Sequence, residues 1–300
     1  MRPICRLLSP VVVIAASATA MACVDLVGAV DGRYIEREEK RFGVAGRADV
    51  SVSTFDGSVE VRGWDRPEVL VVVEKHALTR ERAAAIQVRA EQSGNRVTIE
   101  VPRPTGTRLV FGWHDADSAR LIVSVPTTAN VTAKSDDGSI VAADIAGDLD
   151  LRSRDGSVRG HDLTGALKVH TSDGSIAFDG LEGTADVSTR DGSIRVAGRR
   201  RMVRAESGDG SVHVRAAPGS AADRDWDIST RDGSVSLDLA DGFNGELDAR
   251  TGDGHARLHD FELSNVTGEL GKHNIRGRLG SGGRAIRVRT GDGSISIRKF

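Results

Sequence analysis

Apolar and polar residues alternate along most of the chain, in short segments joined by glycine-containing turns. Around one recurring glycine, Gly174, apolar residues stand five and seven positions before it (Val169 and Leu167) and two and four positions after it (Ile176 and Phe178). Polar or charged residues fill the positions between them. Alternation with a period of two is typical of β-strands that bury one face. The pattern therefore predicts a pair of short strands around each turn.

The glycine belongs to an Asp-Gly step that recurs along the chain and is followed in most copies by serine. From Gly138 to Gly210 the spacing is 18 residues, and it then loosens to roughly 19–23 residues if a degenerate copy at Lys272-His273-Asn274-Ile275 is counted. A serine or threonine stands three positions before each glycine. We assign a structural role in turns to the repeated pairs, which are Asp56 and Gly57, Asp137 and Gly138, Asp155 and Gly156, Asp173 and Gly174, Asp191 and Gly192, Asp209 and Gly210, Asp232 and Gly233, Asp253 and Gly254, and Asp292 and Gly293.

The repeat length decides the fold class. A strand-helix-strand unit needs about 30 residues or more, whereas about 18 residues suffice for one coil of a solenoid. Each buried aliphatic side chain contributes about 1.5–3 kcal/mol, so roughly four per coil stabilise a stack without disulfides. The sequence predicts an all-β fold: a β-solenoid, like a β-helix or β-roll, with coils of about 18–23 residues, Asp-Gly-Ser turns and an N-terminal β-rich cap.

The aspartate in each coil allows two interpretations. Stacked at about 4.8 Å, the carboxylates resemble the calcium ladder of glycine-rich β-rolls. Alternatively, the glycine permits a positive φ and the aspartate accepts a hydrogen bond from the backbone N–H two residues on. Arg154, Arg190 and Arg231 each precede a turn aspartate and can offset the repulsion between carboxylates. We favour the turn interpretation and predict no metal ligand and no cofactor.

The N-terminus has the pattern of an export signal. A short basic start, Met1 to Arg6, precedes a stretch without charge that ends in Ala20-Met21-Ala22 before Cys23. The apolar run is shorter than the ~20 residues that span a membrane. Cys5 and Cys23 are the only cysteines, so the mature chain has no intramolecular disulfide. Cys23 is either the lipidation site of a lipoprotein or an incidental residue after an ordinary signal-peptidase site.

Four regions follow from these patterns: a signal peptide over 1–22, a tether or linker over 23–45, a β-rich cap over 46–130 and the solenoid over 131–300. Ala48 to Val61 already reproduces the repeat columns. Within the cap we predict a helix around Thr79 to Ala85 and a hairpin turn at Ser93-Gly94-Asn95. The cap strands are predicted at Val69 to Glu74, Ile86 to Ala90, Val97 to Val101, Leu109 to Gly112 and Leu121 to Val125.

Residues with catalytic chemistry do not form a recognisable motif. A net charge of -2 argues against a nucleic-acid binder, which needs a basic face. Asp223 with Asp225, and His255 with Asp253, fall in loops and turns where acidic residues promote solubility, while His170 and His213 fall on outward positions. No Ser-His-Asp order, metal motif or phosphate-binding loop is present. We predict that the protein is not an enzyme.

Basic residues cluster in two places, and each cluster has two interpretations. Both occupy turn and outward positions, which favours a solvated face, although contact with anionic lipid headgroups or an acidic glycan is the alternative. The clusters are Arg199 to Arg201, and Arg284, Arg287, Arg289, Arg298 and Lys299.

From Phe42 to Phe300 the chain resembles the putative-adhesin family of bacterial β-strand-repeat domains, which occur in exported and envelope proteins. The resemblance rests on Val50 to Asp65, on Val123-Ser124-Val125-Pro126 and on the serial Gly-Ser-Ile/Val turns. It implies a β-repeat fold and an envelope location, and it brings no catalytic residues to transfer.

Taken together, these patterns predict a non-enzymatic, adhesin-like binding and scaffolding module of the cell envelope or surface. The alternatives are a component of envelope-stress sensing or regulation, or a carbohydrate-active β-helix enzyme. We expect an envelope or surface partner, whether protein, glycan or lipid headgroup, and no nucleic acid. The location is periplasmic, outer-membrane or surface, with a lipid anchor as the only membrane attachment.

Overall fold

The computed structural model describes residues 22–30, 33–104, 117–266 and 272–300. The predicted signal peptide up to Met21 and the predicted strand Leu109 to Gly112 lie outside the described residues. Among the described residues, none forms a helix with the length and apolarity that a membrane crossing requires.

The structure is built almost entirely of strands, with a single short helix among the described residues. In chain order they are β1 (Ala22–Val30), β2 (Arg33–Gly43), β3 (Ala48–Thr54), β4 (Val59–Trp64), β5 (Glu68–Ala77), α1 (Arg80–Ala85), β6 (Arg89–Ser93), β7 (Arg96–Val101), β8 (Ser118–Pro126), β9 (Ala129–Ser135), β10 (Ile140–Ala146), β11 (Leu149–Ser153), β12 (Val158–His170), β13 (Ile176–Asp179), β14 (Glu182–Thr189), β15 (Ile194–Gly198), β16 (Arg200–Ser207), β17 (Val212–Ala216), β18 (Trp226–Thr230), β19 (Val235–Leu239), β20 (Gly245–Thr251), β21 (Ala256–His259), β22 (Leu263–Ser264), β23 (Asn274–Leu279), β24 (Ala285–Thr290) and β25 (Ile295–Lys299).

The strands form a solenoid, which confirms the predicted fold class. In each coil, the strand before the Asp-Gly turn joins a first stack of parallel strands and the strand after it joins a second stack. In the first stack β14 pairs with β12 and β16, and in the second β15 pairs with β13 and β17. The Cα partners of successive coils are equivalent repeat positions, such as Val169 and Val187. Each sequence column thus becomes a ladder along the axis.

The core lies between the two stacks, as the period-two pattern predicts. Along β17 and β18 the alternate residues are buried, and residues such as Leu151, Val187 and Ile228 are fully enclosed. Near the C-terminal end, Trp226 packs edge-on against Phe243 with ring centroids 5.1 Å apart. Because every coil adds apolar side chains to one continuous cluster, no coil has a core of its own.

Near the C-terminal end, the order of the coils in the stack differs from their order in the chain. The coil of Gly293 lies between those of Gly233 and Gly254: β24 pairs in parallel with β18 and β20, and β25 with β19 and β21. The predicted degenerate copy at Lys272 to Ile275 is wrong as a coil. Its strand, β23, runs antiparallel to β20 and covers the edge of the first stack. It lacks the Asp-Gly step on which the neighbouring coils are stacked.

The N-terminal end of the stack is covered by a β-rich layer. The coil of Gly57, formed by β3 and β4, lies between the coil of Gly138 and a layer formed by β7 and β8. β6 then pairs antiparallel with β7, and β5, β2 and β1 extend the sheet from β8 in antiparallel order. The strand edges of the terminal layer are therefore largely paired with other strands of the same chain.

Most of the range predicted as a tether is sheet instead. β2 pairs with β5 from Tyr34 opposite Ala77 to Gly43 opposite Glu68. Charged residues of β2 form cross-strand ion pairs: the Nζ of buried Lys75 lies 2.9 Å from Glu36 and 3.3 Å from Glu38. Cys23 lies in β1. The boundaries between the predicted regions stay predictions.

The smaller elements of the cap largely follow their predictions. β5, β7 and β8 contain the strands predicted at Val69, Val97 and Leu121, and α1 begins after Thr79, whose hydroxyl accepts a hydrogen bond from the Arg82 N–H at 3.3 Å. The hairpin turn has Gly94 at φ +60°. The strand predicted at Ile86 to Ala90 is wrong at its start, because Ile86 is the buried C-cap of α1 and β6 begins at Arg89.

Candidate functional site

The Asp-Gly turns lie on one narrow edge of the solenoid, where they form what we call the turn ladder. From the turn of Gly138 onwards, each turn is closed by the serine or threonine three residues before its glycine, whereas Thr54 donates to the carbonyls of Asp56 and Ala119. In the coil of Gly192, the Gly192 N–H donates to the Thr189 Oγ1 at 3.2 Å, and this hydroxyl donates to the Gly174 carbonyl of the adjacent coil at 3.0 Å. The hydroxyls of Ser135, Thr290 and Thr251 make the same pair of hydrogen bonds in their own turns. The observed side-chain acceptor of the turn is therefore the hydroxyl, which binds the glycine N–H, and not the aspartate predicted to accept from the N–H two residues on.

The turn glycines are required by close packing between coils. Gly57 is the one turn glycine with a positive φ, at +112°, so the predicted reason for glycine is wrong for the others. A Cβ on Gly192 would lie 2.0 Å from the carbonyl oxygen of Gly174, and one on Gly210 would lie 2.0 Å from that of Gly192. Backbone carbonyls of the preceding coil occupy the space of a side chain.

Replacing Thr171 by valine tests the hydroxyl bonds with little change in volume. The hydroxyl of Thr171 is fully buried, donates to the Gly156 carbonyl at 3.1 Å and accepts from the Gly174 N–H at 3.3 Å. Leaving a buried N–H without a partner costs about 1–3 kcal/mol, so we expect Thr171→Val to lower the free energy of unfolding by about 2 kcal/mol. Urea denaturation measures this value. Ser229→Ala, on a half-buried outward position, is the control, and equal losses in both variants would contradict the assigned role.

The turn carboxylates point outwards and interact with their neighbours along the ladder. Burial and the nearby charge of Asp137 raise the pKa of Asp56. The pKa of Asp155 is also raised, by desolvation and then by its hydrogen bond and repulsion with Asp137. The charged form of each group is disfavoured in the folded chain. The stability that these two carboxyls contribute is therefore present at low pH and is lost as the pH rises through their raised pKa values.

The variant Asp137→Asn is expected to lower the pKa of both Asp56 and Asp155 towards the ordinary carboxyl value, because it removes the charge that lies between them. Carboxyl carbon chemical shifts followed by NMR during a pH titration measure both values. Asp223→Asn, away from the turn ladder, is the control. Unchanged pKa values in the Asp137 variant would show that the carboxylates do not interact.

Arginines connect neighbouring layers of the turn ladder, as their position before the aspartates suggested. Arg154 lies 3.6 Å from Asp136 and 4.0 Å from Asp137, Arg190 lies 3.8 Å from Asp173, and Arg231 lies 3.6 Å from Asp209. All of these side chains are exposed, so each pair contributes at most about 1 kcal/mol. The arginines nevertheless offset the negative charge of the ladder.

We expect excess calcium to leave the melting temperature unchanged. Arginines already lie against the carboxylates, and the glycine carbonyls already accept hydroxyl hydrogen bonds, so the turns present few free oxygen ligands of the kind calcium needs. Thermal melts followed by circular dichroism, in calcium, in magnesium and in a chelator, measure the effect. A rise of several degrees in calcium alone would establish the calcium ladder.

The family of the chain is decided by its match over the whole stack. A family model described as Toastrack DUF4097 matches residues 48–298, from the start of β3 into β25. The chain belongs to this Toastrack family. The resemblance found in the sequence to a β-strand-repeat family of adhesin type is thereby confirmed. No curated protein sequence matches the Toastrack chain.

Solved structures that match the chain include proteins from the following three bacteria. A putative cell adhesion protein from Clostridium sporogenes has 9% identity and a TM-score of 0.27, over 94% of this chain and 100% of the other. A putative adhesin from Bacteroides fragilis has 11% identity and a TM-score of 0.42, over 88% and 97%. A putative lipid binding protein from Parabacteroides distasonis has 15% identity and a TM-score of 0.44, over 88% and 96%.

The acidic residues Asp223 and Asp225, singled out in the sequence, serve as ion-pair partners of arginines in the Toastrack chain. Asp223 lies 3.5 Å from Arg201, and Asp225 lies 3.0 Å from Arg287 in another coil. The ring of His255 faces that of His273 at a centroid distance of 6.3 Å. The structure therefore does not bring the carboxylates of Asp223 and Asp225 together on one shared partner.

The two outward histidines lie on opposite faces of the solenoid. Exposed His170 has its Nδ1 2.9 Å from the Ser188 hydroxyl, and half-buried His213 has its Nε2 2.9 Å from Asp238. A third histidine, His161, was not singled out by the sequence. Its ring and the carboxylates of Asp144 and Asp162 have potential ligand atoms within 4.8 Å of one another, all on exposed side chains. Such exposed acidic groups are common, so geometry alone does not assign a metal to this group.

Most members of the predicted basic clusters lie at the surface or partly buried and are paired with carboxylates. Arg199 lies 3.6 Å from Glu182, Arg298 lies 3.1 Å from Asp238 and Lys299 lies 2.7 Å from Asp241. Arg289 lies 2.8 Å from Asp248. The clusters are therefore locally neutralised, which favours the interpretation as a solvated face.

Arg200 departs from that prediction because it is fully buried. The pairing register shifts beside it, between Gly183 and Thr184. Its guanidinium donates to the carbonyls of Leu181 and Ala197 at this irregularity, while its Nε has no partner. Burial lowers the pKa of Arg200 to about 10, and the charge of Asp179 acts in the opposite direction. The side chain is a structural element of the corner.

Proposed function

We propose that this chain is a non-enzymatic binding and scaffolding module of the cell envelope, and that its two outer faces contact another envelope component. The observation that carries the proposal is that the repeated positions and the outward positions of each coil have different roles. The repeated residues are used inside the stack, in the turn ladder and the core. The outward positions differ from coil to coil, as in the ladder formed by Val141, Arg159, Ala177, Arg195 and His213.

The architecture supports recognition by a surface rather than catalysis in a cleft. Stacked strands in parallel register hold the outward side chains at a fixed spacing of about 4.8 Å per layer. Solenoids use such extended surfaces to bind their partners. The residues that distinguish one coil from the next are therefore well placed to define a partner.

The envelope location is supported by the N-terminal sequence pattern. Met1 to Ala22 has the basic start and uncharged stretch of an export signal, and Cys23 follows small residues. An exported chain with a lipid on Cys23 would be held at a membrane surface with its solenoid in the aqueous phase.

Chemical crosslinking in intact cells, followed by purification of the chain and its partners, tests the function. We expect a reproducible envelope partner, and a gradual loss of crosslinking as outward residues are substituted singly. A sharp loss of a measurable catalytic activity on substitution of one carboxylate would instead establish an enzyme. Recovery of no partner above the level of an unrelated exported protein would contradict the proposal.

A parallel sample with Cys23→Ser separates the anchor from the binding module. If Cys23 is lipidated, the variant moves from the membrane fraction to the soluble fraction, because one anchor is lost. If both versions fractionate identically, the lipoprotein interpretation is wrong, while the result for the partner stands.

A further inference from the structure

The outer face of the second stack contains a depression of about 420 Å³ over β10, β12, β13, β15 and β17. Its floor is low because small residues occupy outward or neighbouring positions: Gly160, Ala177 and Ala197. The fully buried ring of Phe178 fills the space beside Gly160, where a Cβ would lie 2.6 Å from the ring. The floor is therefore largely apolar, and we call this feature the basic depression because of its walls.

The walls of the basic depression are cationic. Arg159 and Arg195 stand in one outward ladder with Ala177 between them, so their Cα atoms are two layers, or about 10 Å, apart. Both side chains are exposed. Arg215 closes one end, where its guanidinium lies 4.3 Å from the centroid of the Phe300 ring.

Arg159 and Arg195 lack the carboxylate partner that several other arginines on the solenoid surface have. Arg190, Arg231 and Arg298 each lie within ion-pair distance of an aspartate in a neighbouring coil. Within the described part of the chain, Arg159 and Arg195 take part in no ion pair. The basic depression is lined by three arginines and one carboxylate, and thus keeps a net positive charge on a protein whose overall charge is -2.

One carboxylate, that of Asp179, lines the basic depression. Its Oδ1 accepts a hydrogen bond from the Gly180 N–H at 3.0 Å. The negative charge of Asp179 raises the pKa of buried Arg200, which means that it stabilises the charged guanidinium. Among the described residues, Asp179 forms no ion pair with Arg159 or Arg195, and the three arginines of the depression outnumber this one carboxylate.

We propose that the basic depression binds a phosphate-bearing amphiphile, with the phosphate between Arg159 and Arg195 and the apolar part of the molecule on the floor. Guanidinium groups match the oxygens of a phosphate with paired hydrogen bonds. A volume of about 420 Å³ falls in the range of small-molecule sites, which combine apolar walls with a few polar groups. The inference rests on the proposed function, since it names the chemical class of one envelope component.

Calorimetric titration of the purified chain with dihexanoyl phosphatidic acid, kept below its critical micelle concentration, tests the site. We expect saturable binding, and binding of inorganic phosphate at least ~10-fold weaker, because phosphate alone leaves the apolar floor uncovered. No binding of the short-chain lipid would overturn the proposal. Equal affinities for the two probes would overturn the role of the floor and reduce the site to a phosphate site.

Two variants locate the binding. Arg159→Gln combined with Arg195→Gln is expected to weaken binding of the lipid at least ~10-fold, since two charge-assisted contacts are removed. Ala177→Glu, which places a carboxylate between the two arginines, should abolish it. The matched control is Arg204→Gln with Arg257→Gln, which removes the same charge from exposed positions of β16 and β21. Equal weakening by the control would overturn the site.

Thermal melts of all variants establish that the exposed substitutions leave the fold intact. The outcome is separable from that of the crosslinking experiment. If the lipid does not bind while crosslinking recovers a protein partner, the ligand class is wrong and the binding and scaffolding function stands. If neither experiment gives a partner, both proposals fail.

Discussion

Deletion of residues 285–300 is expected to unfold the C-terminal part of the stack and to lower the melting temperature of the whole chain by more than 10 °C, because it removes an interior coil. β24 and β25 are paired on both sides. Four fully buried residues would be lost, namely Ile286, Val288, Ile295 and Ile297. At about 1.5–3 kcal/mol each, their burial is comparable with the entire stability of a typical domain. Circular dichroism and limited proteolysis measure the result.

A pair of point variants decides whether the coil is interior. Ile297 in β25 is fully buried between two neighbouring coils, while the equivalent Leu258 in β21 belongs to the terminal coil and is half exposed. Ile297→Ala should therefore cost about 3 kcal/mol, and Leu258→Ala about 1 kcal/mol or less. If the coils followed chain order, the ranking would be reversed. That result would refute the observed strand order.

The variant Gly192→Ala is expected to destabilise the chain by about 3 kcal/mol or more, although it adds only one methyl group. The new Cβ would lie 2.0 Å from the Gly174 carbonyl oxygen, and backbone atoms in a regular stack can move apart only by stretching the strand pairing of both coils. Hydrogen bonds in both stacks of strands would therefore be weakened. Urea unfolding, followed by the fluorescence of buried Trp226, measures the change.

Gly43→Ala is the control for this variant. Gly43 lies at the end of β2, its φ is not positive, and a Cβ there would meet no atom within 4 Å. We expect a change of about 0.5 kcal/mol or less. A Gly192 variant as stable as the control would show that the coils are spaced more widely at the turn than the structure has them.

The local rules of this fold could be predicted from sequence, because every coil repeats them. The period-two columns identified the buried faces, and the column of serine and threonine was visible in the sequence, although its hydrogen bonds between coils were not predicted from it. The reason for glycine could not be predicted, since it depends on the carbonyl of another coil and not on the residues beside Gly192. Composition likewise could not show that Arg200 turns inward, because its burial follows from a register shift in the pairing.

Long-range order was beyond the sequence for a different reason. All coils carry equivalent columns, so the sequence pattern lets a coil such as that of Gly293 pair with any other coil. Pairing between coils that are adjacent in the chain is only the simplest assumption. The charged residues of β2 also resemble those of a linker until their partner Lys75 is known. The basic depression could have been suspected, since Arg159 and Arg195 recur at the same outward position two repeats apart. Their lack of ion-pair partners is visible only in three dimensions.

The interior position of the Gly293 coil also constrains the order of events during folding. Both of its neighbours, the coils of Gly233 and Gly254, are synthesised before it. If the coils of Gly233 and Gly254 paired directly with each other, the Gly293 coil would be excluded from its place between them. The Gly254 coil must therefore stay unpaired with the Gly233 coil until residues 285–299 have been synthesised. Growth of the stack by addition of one coil after another is therefore interrupted near this end. We expect a slow final phase of refolding, in which β24 and β25 insert between the unpaired strand edges of the Gly233 and Gly254 coils.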